Sequence, residues 1–396
     1  MPVLKIVTRS TLLAVLFCYS FLASASGTRP NVVFLSPDDS RFWNLVSGFM
    51  TAVATDLEMD LEVLVDEEEH RFSYLKLARK VLNRPEKPDY LVFMCKENVT
   101  TQMLSLANAV GVKVFTFNTQ VPEDTRAAVG SPRDSMLGWL GHLSADNVAA
   151  GEMLTRFLEQ QVRQQGIVQS DQPVPLIALG GTLDSSASKD RSQGLMAAAD
   201  GQGIDLAQLV SADWNGDAAA YKTGILLKRY PDTRSVWSAS DGMALGALDA
   251  VKQVGLVPGK DILVGGVDWE PRALDAIERG EMAVSLGRHF MAGGLLMVLL
   301  HDYHHGQDFA SQPEDSVLQY KLHAVTRENV EQVQSLLNPD NWQAVDFRRF
   351  SRVHHPEQAS ALNSADQLLD AFTDALAGSG AKDVQVTRAE PEPAGG

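Results

Sequence analysis

The sequence has 396 residues, 45% of them hydrophobic and 21% charged, which is enough apolar material for two or three domains with packed cores. Asp and Glu outnumber Lys and Arg by 50 to 34, and the formal net charge of −16 argues against a surface built to bind nucleic acid. The two cysteines, Cys18 and Cys95, cannot form a disulfide framework or a four-cysteine metal site within one chain.

Residues 1–25 have the pattern of a cleaved secretory signal peptide. Two basic residues precede an apolar run over residues 11–23, and residues 23–25 read Ala-Ser-Ala, as a cleavage site requires. A run of about 13 residues is shorter than the roughly 20 that span a bilayer, so cleavage is favoured over a permanent transmembrane helix. A lipid anchor on Cys18 is disfavoured because Phe17, rather than a small residue, precedes it. The sequence therefore predicts an exported protein.

After residue 30, short apolar runs alternate with longer stretches of helical period, a pattern typical of βα units around a parallel sheet. The first predicted helix carries an apolar stripe of Phe42, Val46, Phe49, Val53 and Leu57. The predicted strands cover residues 32–35, 61–65, 90–94, 113–117, 176–179, 235–238, 262–267 and 282–286. The other predicted helices cover residues 72–82, 100–109, 147–160, 186–199, 218–228, 243–254 and 292–301. This order predicts an α/β fold of two doubly wound parallel-sheet lobes.

In such folds a ligand binds beyond the carboxyl ends of the strands. Phe42 and Trp43 follow the first predicted strand, and adjacent helical residues cannot both face the core. We predict that Trp43 is a flat platform for a sugar ring; the alternative is that Phe42 lies in the core and Trp43 packs between helices. Trp214 stands between polar residues rather than in an apolar stripe, which predicts a second platform.

Polar residues at other strand ends are candidates for hydroxyl recognition. Asn118 offers both a donor and an acceptor, although it could instead satisfy a turn. Arg191 could bind a ligand through two donors or form a surface salt bridge. Asp268 could accept two sugar hydroxyls or cap a helix, whereas Asp241 is predicted to be a helix cap.

The sequence lacks a constellation typical of an enzyme. Gly-x-Ser-x-Gly is absent, and the glycine pair at 180–181 lacks the spacing of a nucleotide-binding loop. His301 and His305 have the spacing of helical zinc ligands, but the Glu of the metalloprotease pattern is missing, so we predict a solvated helix end. We expect neither catalysis, nor a metal, nor a cofactor.

Taken in order, these segments resemble the ribose/galactose-type periplasmic sugar-binding proteins, the type I solute receptors of ABC importers. The resemblance covers residues 31–320 and is most specific at 240–248, which read Ser-Asp-Gly-Met-Ala-Leu-Gly-Ala-Leu. Further matching segments lie at residues 144–151, 190–194 and 264–268.

The resemblance implies a sugar sandwiched between aromatic rings of the two lobes and ringed by polar side chains. It assigns the rings to Phe42, Trp43 and Trp214. It assigns the polar ring to Asn118, Arg191, Ser240, Asp268 and Arg288, and it places Asp146 and Asn147 at the hinge. The family commonly has aspartate where this chain has Asn118 and asparagine where it has Ser240. The implied ligand is therefore a sugar or a sugar-like polyol.

The resemblance also implies a domain organisation and partners. We expect an N-terminal lobe of residues 31–143 and 289–320, a C-terminal lobe of 144–288, an extension of 321–384 that packs on the lobes, and a disordered tail of 385–396. The expected function is a monomeric periplasmic receptor that delivers its ligand to the permease of an ABC importer. The alternative is a sensing subunit that signals to a membrane histidine kinase, because the extension resembles those of members paired with such kinases.

Overall fold

The computed structural model describes residues 29–380 except 69, 170, 202, 358–361 and 363. Within these residues the strands, numbered in chain order, form two six-stranded sheets. The first sheet contains β1 (Asn31–Ser36), β2 (Asp60–Val65), β3 (Tyr90–Met94), β4 (Lys113–Asn118), β5 (Trp139–Ala145) and β11 (Val317–Tyr320). The second contains β6 (Val174–Gly180), β7 (Ile204–Ser211), β8 (Ser235–Ser238), β9 (Leu263–Val267), β10 (Val284–Gly287) and β12 (His323–Val325).

Helices connect the strands and cover the sheets. They are α1 (Arg41–Asp56), α2 (Arg71–Leu82), α3 (Thr100–Ala109), α4 (Glu123–Val129), α5 (Asn147–Gln164), α6 (Ser186–Ala199), α7 (Gly216–Arg229), α8 (Asp241–Gln253), α9 (Pro271–Glu278), α10 (Ala292–His304), α11 (Val330–Leu336), α12 (Pro339–Gln343) and α13 (Ala365–Gly380). Three-residue-per-turn helices lie at His289–Met291, Pro313–Ser316 and Phe347–Phe350. None of the helices in the described part of the chain is long and apolar enough to cross a bilayer.

The predicted fold class, two doubly wound parallel-sheet lobes, is confirmed. The first sheet has the order β11-β5-β4-β3-β1-β2 and is parallel throughout. The second has the order β12-β10-β9-β8-β6-β7, in which β12 is the antiparallel edge strand. The prediction missed β5 because a glycine, a histidine and a serine interrupt its apolar residues, and it missed β7, an edge strand whose side chains are mostly half-buried.

The chain passes between the two sheets at neighbouring segments. β5 ends at Ala145 and α5 begins at Asn147, so Asp146 lies in the first connection. The backbone N–H of Asp146 donates to the carbonyl of Tyr320 over 2.7 Å, which joins the first connection to the one between β11 and β12. The side chain of Asp146 caps α5 by accepting from the backbone N–H of Ala149. A hinge role for Asp146 and Asn147 stays a prediction.

The segment expected to be an extension begins inside the second sheet and then spans both lobes. Residues 323–325 form β12, which pairs with β10, because an exposed sheet edge there accepts another strand. Beyond it, α11 packs on α9 of the second lobe, whereas α12 packs on α1 of the first. The aromatic rings of Phe347 and Phe372 pack against the ring of Phe49, with centroid distances of 5.5 and 6.0 Å respectively.

The first of the histidines near the end of α10, His301, is covered by this extension. The ring of His301 is buried and stacks on that of His354, with 5.2 Å between centroids. The prediction of a solvated helix end is therefore wrong for His301, over which residues 351–354 pack, whereas His305 at the end of the helix is exposed as predicted. Across the described residues, no group of three or more His, Cys, Asp or Glu side chains is arranged to hold a metal ion.

Helices α5 and α6 pack backbone to backbone in the second lobe. A Cβ atom on Gly194 would lie 2.0 Å from the carbonyl oxygen of Val148, and one on Gly151 would lie 1.9 Å from that of Arg191. Backbone atoms cannot move aside as a flexible side chain can. The two glycines therefore set the distance at which α6 presents Arg191 to α5.

Replacing Gly194 with alanine should destabilise the protein by roughly 1–3 kcal/mol, because the methyl group overpacks this contact. Gly224→Ala is the matched control, since the added methyl group on α7 meets no atom within 4 Å. We expect the control to be neutral or stabilising by up to about 1 kcal/mol, because alanine favours a helix over glycine. Urea denaturation measures both, and equal stability of the two variants would contradict the close packing.

Candidate ligand-binding cleft

The carboxyl ends of the two sheets face each other, and polar contacts join the facing loops. Each contact pairs a residue of the first lobe with one of the second: Gln120 N with Ser186 Oγ at 2.8 Å, Arg71 with Asp184 at 2.5 Å, Glu97 with Lys189 at 2.5 Å, and Arg41 with Glu270 at 3.4 Å. The two lobes therefore meet at the carboxyl ends of their strands, and we call the region enclosed by these contacts the cleft.

A buried cluster of polar side chains lies at the base of this cleft. Arg191 of α6 is 3% exposed, and its Nε donates to Asn147 Oδ1 over 2.8 Å. Its Nη1 donates to the carbonyl of Ala239 over 2.6 Å and lies 3.8 Å from Asp268 Oδ1. Nη2 makes no hydrogen bond to any residue that the structure describes, so it is available to a ligand. The alternative of a surface salt bridge is wrong for Arg191, because α5 and the loop before α8 enclose it.

The hydrogen bonds and the opposite charge around Arg191 offset the free-energy cost of removing its guanidinium group from water. Removal from water lowers the pKa of Arg191, and the negative charge of Asp268 acts in the opposite direction. A guanidinium group nonetheless stays charged at neutral pH, because its ordinary pKa is far above that range. The cleft thus has one fixed positive charge at its base.

Asp268 follows β9 and carries the opposite charge. The backbone there has a φ of 135°, and the N–H of Asp268 donates to the carbonyl of Leu286 over 2.7 Å. Its side chain is 16% exposed, and Oδ1 accepts from His289 Nε2 over 3.1 Å. Because Arg191 and His289 both approach Oδ1, the second carboxylate oxygen remains for a ligand.

Ser240 takes the helix-capping role that was predicted for its neighbour Asp241. Ser240, predicted as a ligand contact, caps α8 by accepting from the backbone N–H of Met243 over 3.3 Å. Asp241, predicted as the cap, is fully buried and accepts from Ser285 Oγ and the backbone N–H of Glu270. The prediction that Asp241 caps the helix is wrong, because α8 begins at Asp241 itself, two residues before the expected start at residue 243, and the preceding Ser240 is the cap. Ligand contact by the Ser240 hydroxyl proton stays a prediction.

Two carboxyl groups near Asp268 have raised pKa values. Burial raises the pKa of Asp241 well above its usual range, and the charge of Asp268 adds to the effect. Burial and Asp268 also raise the pKa of Glu270, against the lowering influence of Arg41. Both shifts favour the neutral form, so they limit the negative charge that surrounds Asp268.

The two aromatic residues at the start of α1 take positions opposite to those predicted. Trp43 is 6% exposed and packs against Phe34 and Phe117, at 6.0 and 5.9 Å between centroids. Phe42 is the half-buried ring, 4.6 Å from the ring of His289. The prediction of Phe42 as the core residue fails because Trp43, Val46 and the residues a turn further on form the buried stripe of the helix.

Trp214 and Asn118 lie at the same edges of the sheets but outside the Arg191 cluster. The half-buried ring of Trp214 lies over Gly181, where a Cβ atom would meet it at 2.0 Å. Trp214 follows β7 with a φ of 61°, and Asn118 ends β4 with a φ of 73°. Left-handed backbone costs free energy in residues with a side chain and often accompanies functional sites. Ligand contact by either residue stays a prediction.

Arg288 does not belong to the cleft. Its side chain is 1% exposed, and its donors engage the carbonyl of Lys321 and the carboxylates of Asp366 and Asp370 on α13. The prediction that Arg288 contacts the ligand is wrong, because the extension supplies the acceptors that its guanidinium group needs. Arg288 instead links α13 to the connection between β11 and β12, because it binds both the α13 carboxylates and the carbonyl of Lys321.

Replacing Arg288 with methionine should lower the free energy of unfolding by about 2 kcal/mol, because it removes the buried guanidinium donors that Asp366 and Asp370 accept from. Binding of the ligand should change less than about threefold. Chemical denaturation and calorimetric titration check the two effects, with Arg79→Met on the exposed face of α2 as the control. A large loss of affinity without a loss of stability would contradict this assignment and show that Arg288 takes part in ligand binding.

Sequence reasoning missed His289, which the structure places in the cluster between Phe42 and Asp268. Its position three residues after a predicted strand was a usable signal, because residues beyond strand ends face the site. A separate groove of about 860 Å³ lies outside the cleft, between the solvent face of α1 and Trp342 of α12.

Comparison with known proteins identifies the family. Residues 32–308 match the family described as "Periplasmic binding protein domain". The chain belongs to this family. It is a family of solute-binding receptors, and the resemblance to ribose/galactose-type sugar-binding proteins is confirmed.

Individual relatives are described as sugar-binding or ribose import binding proteins. The structure of a periplasmic sugar-binding protein from Pseudomonas fluorescens is similar, with 34% identity and a TM-score of 0.74 over 83% of this chain and 95% of that one. The ribose import binding protein of Haemophilus influenzae is 28% identical over 163 residues, which are 41% of this chain and 52% of the relative. That of Bacillus subtilis is 29% identical over 202 residues, which are 51% and 58%. The matched regions thus span about half of these two curated relatives.

Proposed function

We propose that this protein is a periplasmic receptor that binds a sugar or sugar-like polyol between its lobes and delivers it to an ABC importer. The observation that carries the proposal is the buried cluster of Arg191, Asp268 and His289, in which one guanidinium nitrogen and one carboxylate oxygen remain unbonded. A charged donor next to a charged acceptor suits a hydroxyl group, which both donates and accepts.

The aromatic residues supply the other half of recognition. Phe42 comes from the first lobe and Trp214 from the second, and each is half-buried. Aromatic faces pack on the C–H surface of a sugar ring, whereas polar groups take its hydroxyls. Asn118, Ser240 and Trp43, of which 6% is exposed, complete the proposed site.

Closure of the lobes is the signal that a membrane partner reads. The ion pairs between Arg71 and Asp184 and between Glu97 and Lys189 form only where the facing loops meet. A permease can distinguish the closed receptor from the open one only through contacts that differ between them. The connections around Asp146 and Asn147 are the proposed hinge.

Export completes the proposal. The signal peptide falls in residues 1–25, which lie outside the described residues, as does the tail of 385–396. The importer relatives are ribose import binding proteins, and delivery by this chain is proposed from that likeness. We propose a monomeric receptor that acts without a cofactor.

Trp214→Ala and Asp268→Asn should each weaken sugar binding by about 100-fold, because the first removes the aromatic face that packs on the sugar ring and the second removes the charged acceptor for a hydroxyl. Calorimetric titration against a panel of pentoses, hexoses and inositols provides the measurement. Tyr221→Ala and Asp249→Asn are matched controls on the exposed faces of α7 and α8 of the same lobe. If both test variants bind the identified ligand as tightly as the parent, the proposed cleft is incorrect.

A deletion strain separates delivery from sensing. We expect loss of uptake of the radiolabelled ligand when the gene is removed, with recovery when it is restored. Intact uptake together with a lost transcriptional response to the ligand would favour the sensing subunit instead.

A further inference from the structure

His289 contacts residues from both sides of the cleft. Its Nε2–H donates to Asp268 Oδ1 over 3.1 Å, and Asp268 follows β9 of the second lobe. Its ring lies 4.6 Å from that of Phe42, tilted by 30°, and Phe42 belongs to α1 of the first lobe. His289 itself lies in the segment that leads from β10 back to α10. One imidazole therefore joins both lobes beside a connection between them.

The surroundings of His289 determine its protonation state. The residue is 3% exposed, and burial lowers its pKa more strongly than the charge of Asp268 raises it. The imidazole is therefore neutral at neutral pH, and the donation from Nε2 fixes the tautomer, which leaves Nδ1 as an acceptor. Nδ1 is buried without a hydrogen-bond partner among the described residues. The bond to Asp268 thus sets the direction of the ring.

This bond in turn constrains the carboxylate. A carboxylate with neither oxygen held by a neighbour rotates about its Cβ–Cγ bond and loses that rotational freedom when a ligand binds. Because His289 and Arg191 both approach Oδ1, Oδ2 is oriented before the ligand arrives. Orienting a binding group in advance reduces the entropy cost of association.

We propose that His289 is a positioning residue for ligand binding, which holds Oδ1 of Asp268 so that Oδ2 accepts from a hydroxyl of the ligand, and which links this arrangement to the packing of Phe42 from the opposite lobe. The inference rests on the proposed function and narrows the ligand class. An oriented carboxylate oxygen attracts a hydroxyl donor and repels an anionic group. The group of the ligand that meets Oδ2 is therefore a hydroxyl rather than a carboxylate.

Paired substitutions test the positioning role. His289→Leu removes the donor and should weaken binding of the sugar identified with the parent protein by about 10- to 100-fold. His289→Gln places an amide N–H near the position of Nε2 and should restore affinity to within about threefold of the parent. His355→Leu, at an exposed position of the extension, is the control and should bind as the parent does.

A double-mutant cycle shows whether His289 acts through Asp268. In the Asp268→Asn background, His289→Leu should cause less than about a threefold further loss, because the group that it positions is already altered. Additive losses in the cycle, or equal losses for the leucine and glutamine variants, would overturn the positioning role. Unchanged affinity of His289→Leu would also overturn it, while binding by the parent would leave the proposed function intact.

A measurement without ligand separates this inference from the proposed function. Imidazole ¹⁵N chemical shifts report which nitrogen carries the proton. We expect the Nε2–H tautomer in the parent and a changed Nε2 shift in Asp268→Asn. The Nδ1–H tautomer would overturn the inference. If the expected shifts appear but no sugar of the panel binds, the geometry of His289 is supported and the proposed function fails.

Discussion

The burial of the Arg191 guanidinium group constrains how the parts of the second lobe come together. Arg191 lies beneath the cleft, where water cannot solvate its charge, so its neighbours must supply acceptors. Asn147 and the carbonyl of Ala239 supply hydrogen bonds, and Asp268 supplies the opposite charge. These partners come from three different parts of the second lobe. Because Arg191 needs both partners, Asn147 at the first connection between the lobes lies close to Asp268 at the end of β9.

The rest of the chain holds this cluster in place. The glycine contacts between α5 and α6 set how closely Arg191 approaches α5. Asp241 links the loop before α9 to β10, because its carboxylate accepts from the backbone N–H of Glu270 and from Ser285 Oγ. The extension acts on the connections between the lobes, since Arg288 binds the carboxylates of α13 and the carbonyl of Lys321. The two buried arginines thus have different roles: Arg191 faces the cleft, and Arg288 binds the extension through α13.

The fold could be predicted from the sequence more completely than the site. Apolar runs report buried parallel strands directly, so the two lobes were predictable, whereas β5 was hidden by polar residues that find partners inside the protein, such as His142 with Thr116. Position after a strand identified Arg191 and Asp268 as candidates, and the structure brings these two side chains to within 3.8 Å of each other. Position after a strand could not show that Arg288 binds α13, because Asp366 and Asp370 are about 80 residues away in sequence. Helical spacing could not decide between Phe42 and Trp43, since either ring fits the stripe.

A crystal structure of the protein with the small molecule that co-purifies with it tests the central claim most directly. The account predicts a sugar or sugar-like polyol between the lobes, with ligand oxygens within hydrogen-bond distance of Asp268 Oδ2 and Arg191 Nη2 and with its ring against Phe42. A molecule bound instead in the groove between α1 and α12, or one in the cleft that touches neither Asp268 nor Arg191, would contradict it.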